Sequence, residues 1–332
     1  MTRTLFVIHP GAVGDVLLAL PAVRRLRTMY PEHKIVFVSR ESIGNLFRDC
    51  GVVDDWISIE GTEITGLFAG KVSSGWFDDV LRHCDVSVVW LKDEDHVIRR
   101  ILEQYGVQRI SIGSPFDGQL KARHQSDLFL ETIGCAAVSS LDETRLELAV
   151  DIIQRGWDCL NRHGLRSGQP LVVIHPGSGS RFKCLKPEIL AETIRQLQVH
   201  GKPSVVIEGP ADQGAVEALC RLVLQPITVI KDVDLSTLAG VLHHAQLYIG
   251  HDSGITHLSA VVGTPTLAVF GPTDPVRWAP RGSHVRVLQG NPCTCISWEE
   301  VRRCKEKRCL ALESAAMMET CVILEELAGS CL

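Results

Sequence analysis

The chain has 332 residues, of which 45% are hydrophobic and 22% charged, and a formal net charge of -5. The length predicts roughly two domains, and the composition excludes disordered and fibrous classes. The acidic balance argues against a nucleic-acid protein, whose phosphate contacts require a clustered basic face.

The apolar run Leu5 to Ile8 is shorter than the hydrophobic region of a signal peptide. No run approaches the about 18 apolar residues of a membrane span, so a soluble, non-secreted protein is expected. The twelve cysteines form no regular framework, and a chain with large cores needs no staples, which predicts reduced thiols.

In chain order, "TLFVIH" predicts a strand, "PGAVG" a glycine loop, and "DVLLALPAVRRLRTMY" one helix with apolar residues at helical spacing. "KIVFVSR", a helix "ESIGNLFRDCG" closing at Gly51, and the strand "VDDWISI" follow. "FDDVLRHCDVSVVWL" and "GVQRISIG" continue the alternation, and "HQSDLFLETIG" reads as a helix. Strands alternating with helices build a parallel sheet covered on both faces.

A polar, glycine-containing stretch suggests a linker near residues 155 to 170, after which the pattern restarts. "PLVVIH" is a strand, "PGSGSRFKCL" a loop, and "KPEILAETIRQLQVHG" a helix with Pro187 in its first turn. "KPSVVIEG", "PADQGAVEALCRLVL", "ITVIKD", "DLSTLAGVLHHA", "LYIGHD", "SGITHLSAVVG" and "TPTLAVFG" carry the alternation onward. The stretch "VIHPG" heads both halves, at residues 7–11 and 173–177. Each copy is a first strand running into a glycine loop, where backbone N–H groups at a helix start face an anion.

Three places carry candidate chemistry. Gly14-Asp15 sets a carboxylate at a helix start, where it either caps free N–H groups or serves as a base at the ligand-binding edge of the sheet. Ser178, Gly179, Ser180 and Lys183 offer donors and a point charge, a phosphate cradle without the G-K-[ST] ending of a P-loop, or an ordinary turn. The segment "LYIGHDSGITHLSAVVGTPTLAVFGPTDPVRW" joins a buried strand to a helix through Asp252-Ser253-Gly254, with His257 one turn on. That pattern predicts an anion site at a helix N-terminus.

"GAVGDVLLALPAVRRLR", "HPGSGSRFKCL", "IGHDSGITHLSAVVGTPTLAVFGPTDPVRWAP" and "HQSDLFLETIG" together resemble glycosyltransferase family 9, the ADP-heptose:lipopolysaccharide heptosyltransferases. The resemblance implies an α/β GT-B fold, two doubly wound Rossmann-like domains facing a central cleft. Residues 1–160 are then the acceptor side, 161–310 the nucleotide-sugar side, and 311–332 a C-terminal helix returning to the first domain. It implies an inverting, metal-independent transfer of heptose from ADP-heptose, with no cofactor. The acceptor is a lipopolysaccharide-core or related anionic glycolipid, met by a cytoplasmic enzyme peripheral to the inner face of the cytoplasmic membrane. By motif, Asp15 corresponds to the catalytic base. Lys183, Ser178 and Gly179 correspond to residues at the donor phosphates, and Asp252, Ser253, Gly254 and His257 to the motif holding the diphosphate.

Two departures stand out. Where the family has Lys, one residue, then Trp-Pro, this chain reads "KCLKP", with Leu185 in the Trp position, so Lys183 and Lys186 compete for one role. Distance from the Gly-Ser loop favours Lys183. For the acidic ribose ligand of the family, "EGPADQGAVE" offers Glu208, Asp212 or Glu217 without a clean match.

Other features point less far. Cys293, Cys295, Cys304 and Cys309 are spaced C-x-C and C-x₄-C, unlike the C-x₂-C pairs of zinc ribbons, and read as structural thiols; no metal is expected. His243, His244 and His251 lack accompanying carboxylates and read as helix or loop surface. Arg24, Arg25, Arg27, Lys71, Arg99, Arg100, Lys121 and Arg123 form either a face for an anionic acceptor or a solvated surface, and residues 60–76 read as a flexible acceptor loop. Alternatives to the heptosyltransferase are a different nucleotide sugar or acceptor, a sugar-nucleotide epimerase, or an inactive nucleotide-sugar-binding protein.

Overall fold

The structure is a computed structural model that describes residues 3–72, 74–114, 123–138, 140–166 and 169–329. The chain forms two compact units, Met1–Thr144 and Arg145–Leu332.

The first unit runs β1 (Arg3–Ile8), α1 (Val13–Leu18), α2 (Leu20–Met29), β2 (His33–Ser39), α3 (Glu41–Asp49), β3 (Asp55–Ser58), α4 (Thr62–Phe68), α5 (Trp76–Arg82), β4 (Cys84–Val89), α6 (Val97–Gln104), β5 (Arg109–Ile112) and α7 (Gln125–Thr132). Its sheet is parallel with order β3-β2-β1-β4-β5. The strand order reverses between β1 and β4, and ligands of open α/β sheets bind at such a switch point. Phe6, Ile8, Val36, Val38 and Val89 are fully or almost fully buried between sheet and helices, so these strands read as continuous apolar runs.

The helix expected over residues 15–30 is two helices. Pro21 has no N–H to give the carbonyl four residues back, and the Ala19 N–H turns instead to the Val16 carbonyl (3.0 Å), so α1 closes and α2 restarts with proline in its first turn. The expected loop 60–76 includes α4.

The second unit runs α8 (Val150–Arg162), β6 (Val172–His175), α9 (Pro187–Val199), β7 (Ser204–Glu208), α10 (Gln213–Cys220), β8 (Thr228–Lys231), α11 (Leu235–His243), β9 (Leu247–His251), α12 (Gly254–Val262), β10 (Thr266–Phe270), α13 (Pro275–Trp278), β11 (Val285–Gln289), α14 (Trp298–Arg303) and α15 (Ser314–Gly329). Its parallel sheet has order β11-β10-β9-β6-β7-β8, with the switch point between β6 and β9.

The boundary between the units lies at 144/145, not at 160/161, and residues 155–162 are helix rather than linker. The cause is a backbone-to-backbone contact: a Cβ on Gly156 of α8 would lie 2.1 Å from the Gly240 carbonyl carbon of α11, and one on Gly240 would lie 2.2 Å from the Ile152 carbonyl oxygen. The last helix also differs from expectation. α15 belongs to the second unit, where Met317, Cys321 and Leu324 join the core beneath Val172, Ile174 and Leu267, and Glu325 pairs with Lys202. Among the described residues no helix is long and apolar enough to cross a membrane.

Gly156→Val should force α8 from α11 and cost at least about 2 kcal/mol, as overpacked cores do, or roughly 4–8 °C in Tm for a unit of this size. Thermal unfolding reads this directly. An unchanged Tm would detach α8 from the second unit.

Candidate active site

In the second unit, β6 and β9 end side by side and their following loops meet. Ser178, buried just past β6, donates from Oγ to the Asp252 carbonyl (2.6 Å). Lys183 reaches the Asp252 carboxylate from the same loop, Nζ to Oδ2 2.7 Å, with the lysine side chain 21% exposed and the aspartate 8%. Ser253 caps α12 by accepting from the Thr256 N–H (3.4 Å). The first N–H groups of a helix have no intrahelical partner, so the Gly254 end of α12 presents donors and the positive end of its dipole beside Lys183. His257 is buried one turn along.

Beneath this lies a polar spine that sequence reading missed. His175 ends β6 and places Nε2 2.8 Å from the Asp212 carboxylate and Nδ1 3.3 Å from Ser253 Oγ. An ionised carboxylate only accepts, so Nε2 donates to Asp212, while Nδ1 and the Ser253 hydroxyl share the second hydrogen bond. Asp212 also accepts from the Gly209 N–H (3.0 Å). Burial alone would push its carboxyl up, but the hydrogen bond and charge of His175 and the Gly209 N–H outweigh burial and hold it below the usual range. A neighbouring ring, His251, accepts from the Leu185 N–H (3.0 Å). It is wholly buried in β9 rather than on the surface, and burial, with the charge of His175, pushes its pKa down to about 4.

The expected donor residues thus gather at one edge, with distinct surroundings. Gly179 has open space around its Cα. Ser180 starts a short turn over Arg181–Lys183 by accepting from the Phe182 N–H. Lys186 is the exposed residue before α9 and has no such link to Asp252. Of the three acids weighed for the ribose, Asp212 lines the site but is engaged by His175, Glu208 is half-buried at the end of β7, and Glu217 pairs with Arg221 on the outer face of α10 (3.2 Å). Beside the edge opens a cavity of about 380 Å³, with Leu185, Leu190 and Leu219 as apolar lining and Ser178, Arg181 and Asp212 as polar lining. Such an apolar slot with a few placed polar groups suits a small ligand.

In the first unit, Asp15 sits half-exposed in the first turn of α1 and accepts from the Ala12 N–H (3.2 Å), so capping is one of its roles. Gly14 is buried beside it. Gly11 is wedged against both neighbours: a Cβ there would lie 2.7 Å from His9 Cε1 and 2.9 Å from Asp15 Cβ. His9 accepts from the Gly11 N–H on Nδ1 (3.1 Å), lies against Trp90 and Phe129, and is held neutral by burial, which pushes its pKa down to about 3. Of the basic residues weighed as an acceptor face, Arg25, Arg27, Arg99 and Arg123 each pair with a carboxylate, and Lys121 lies outside the described residues.

The sequence pattern of glycosyltransferase family 9 (heptosyltransferase) matches residues 119–308. A lipopolysaccharide heptosyltransferase 3 of Escherichia coli is 34% identical over 295 residues, covering 80% of this chain and 83% of its own. Two solved structures share the fold. A glycosyl transferase of family 9 from Veillonella parvula DSM 2008 has a TM-score of 0.81 at 18% identity, over 98% of this chain and 97% of its own. The E. coli ADP-heptose lps heptosyltransferase II has a TM-score of 0.76 at 16% identity, over 98% and 100%.

Asp212→Asn should destabilise the protein at neutral pH by loosening the His175 spine. Because the Asp212 pKa is lowered on folding, its contribution is present above the ordinary carboxylate pKa and lost as pH falls through the folded value. Urea unfolding across pH should therefore show a gap between wild type and variant at pH 7 that narrows below about pH 4. A constant gap would show that the pair does not supply it.

Proposed function

The chain belongs to glycosyltransferase family 9, with its GT-B fold, and from that premise we propose that it moves heptose from ADP-heptose onto an anionic envelope glycolipid such as a lipopolysaccharide core. In this reading the diphosphate lies at the start of α12, the nucleoside enters the cavity beside Ser178 and Asp212, and Asp15 takes the proton of the attacking acceptor hydroxyl. The names of the relatives, with ADP-heptose and lipopolysaccharide in them, support the donor and acceptor. The observation that carries the reading is the convergence of Ser178 and Lys183 on Asp252 at a helix N-terminus.

The chemistry follows from charge. As the bond from the anomeric carbon to the diphosphate oxygen breaks, negative charge grows on the leaving group, and the α12 N–H groups and Lys183 are aimed where it develops. The acceptor oxygen bonds to the anomeric carbon from the opposite face while its proton passes to the Asp15 carboxylate. One displacement inverts the centre and needs no covalent sugar-enzyme intermediate, as in inverting glycoside chemistry. Protein groups of this chain supply the charge that a cation would otherwise bring, which makes the transfer metal-independent in this account. The enzyme works at the inner face of the cytoplasmic membrane, where a lipid-linked acceptor is presented.

Asp15→Asn should bind ADP as wild type does and lose about 10²- to 10⁴-fold in transfer, read by coupled ADP release. Near-wild-type turnover would leave Asp15 as a helix cap alone. Lys183→Ala should weaken ADP binding by roughly 10–100-fold, the worth of a hydrogen bond to a charged group, while Lys186→Ala leaves it unchanged. Calorimetry that finds the loss only in the Lys186 variant would reassign the phosphate contact.

A further inference from the structure

Between β11 and α15 the chain makes an excursion over residues 290–310 that the transfer chemistry above does not use. Its two ends are held together: the Gly290 N–H donates to the Cys309 carbonyl (3.0 Å) and the Asn291 N–H to the Arg308 carbonyl (3.1 Å). Fixed in this way, the excursion lies against the loop that carries Lys183. α14 sets the Trp298 ring 5.6 Å from Lys183 Nζ, and the half-buried Lys307 places its Nζ 5.5 Å from the centre of the Phe182 ring. The same ring carries a second cation, the guanidinium of the exposed Arg181, at 5.1 Å.

Two features set Lys307 apart from an ordinary surface lysine. Its backbone is left-handed, with φ 43° and ψ 44°, a conformation in which Cβ crowds the following carbonyl oxygen and which glycine adopts without cost. The Leu310 N–H donates to the Lys307 carbonyl (2.8 Å) and closes a short turn there, so the backbone alone would be better served by glycine. The second feature is charge. Among the described residues neither Arg181 nor Lys307 has a carboxylate within ion-pair distance, while the acids around them are engaged elsewhere: Glu306 with Arg308 (2.7 Å), Glu299 with Arg303 (2.7 Å) and Asp252 with Lys183. The face of a ring attracts each cation but leaves their mutual repulsion in place. An anionic ligand removes it.

We propose that Arg181 and Lys307 together bind a phosphate of the donor nucleotide, the one next to the ribose, with Phe182 as the platform that holds both side chains. This rests on the donor reading above, in which the nucleoside fills the cavity that Arg181 helps to line and the leaving phosphate lies by Lys183 at the start of α12. The phosphate that joins those two places falls beside residues 181–183, a single short turn. Arg181 offers it a planar fork of donors and Lys307 a point charge. The charge on that phosphate is the same before and during bond breaking, so these two residues strengthen donor binding rather than the chemical step.

Calorimetric titration of the full chain with ADP, and competition of AMP against ADP, test this. Lys307→Met keeps the length of the side chain and its packing on Phe182 but removes the charge. It should weaken ADP and AMP alike by about 10-fold, Lys307→Arg should restore both, and Met at the exposed neighbour Lys305 should change neither. Lys307→Gly relieves the left-handed backbone, so it should lose the same ADP affinity without lowering Tm. Wild-type ADP affinity in Lys307→Met, a loss that Lys307→Arg fails to restore, or a loss confined to ADP and absent with AMP would each overturn the assignment. The two readings fail separately: wild-type protein that binds no ADP sinks the donor reading and this inference with it, whereas wild-type protein that binds ADP, beside a Lys307→Met that binds it equally, sinks only this inference.

Discussion

The ion pair between Lys183 and Asp252 resolves a conflict on which the proposed donor site depends. The proposed diphosphate site has at its centre a carboxylate that is 8% exposed, and an uncompensated buried charge is costly to fold and repels an anion. Lys183 neutralises it at 2.7 Å, and Ser178 fixes the backbone of the same residue at 2.6 Å. Together they lock the loops after β6 and β9 across the switch point of the sheet. The aspartate in turn holds a lysine ammonium in place before any ligand arrives. A preorganised cation of this kind needs little rearrangement as charge develops on a leaving group.

Behind that pair, Asp212, His175 and Ser253 link three elements, the end of β6 and the starts of α10 and α12. None of the three need touch a ligand to matter. Gly177 shows how closely they pack, since a Cβ there would lie 1.8 Å from Asp212 Oδ1. The spine ties the loop after β6 to the start of α12, so the geometry of one sets that of the other.

The repeat "VIHPG" shows what a sequence discloses and where it stops. Strand, loop and helix are local consequences of apolar runs and of Gly and Pro, so both copies could be read as first strands of doubly wound units. Their histidines are buried alike but partnered differently. His9 folds back on Gly11, two residues away, whereas His175 meets Asp212, 37 residues on. No spacing rule predicts that second contact, so the sequence alone does not separate Asp212 from Glu208 and Glu217. The boundary near 160 failed for the same reason, because the amphipathic pattern of α8 says that it packs but not on what, and only the Gly156–Gly240 contact decides. His251 was misplaced because a strand ending in polar residues looks like surface until its neighbours cover it. The motif "HDSGITH" was the most legible feature, since a buried strand, a tight turn and a helix start are all short-range.

The central claim is that this chain holds an adenosine diphosphate by its own lysine and helix N-terminus. Calorimetric titration of the wild-type protein with ADP, UDP, GDP and CDP, each with and without EDTA, tests it most directly. Preferential binding of ADP, undiminished by EDTA, is the predicted result. Preference for another nucleotide, or ADP binding that disappears when free divalent cations are removed, would contradict it.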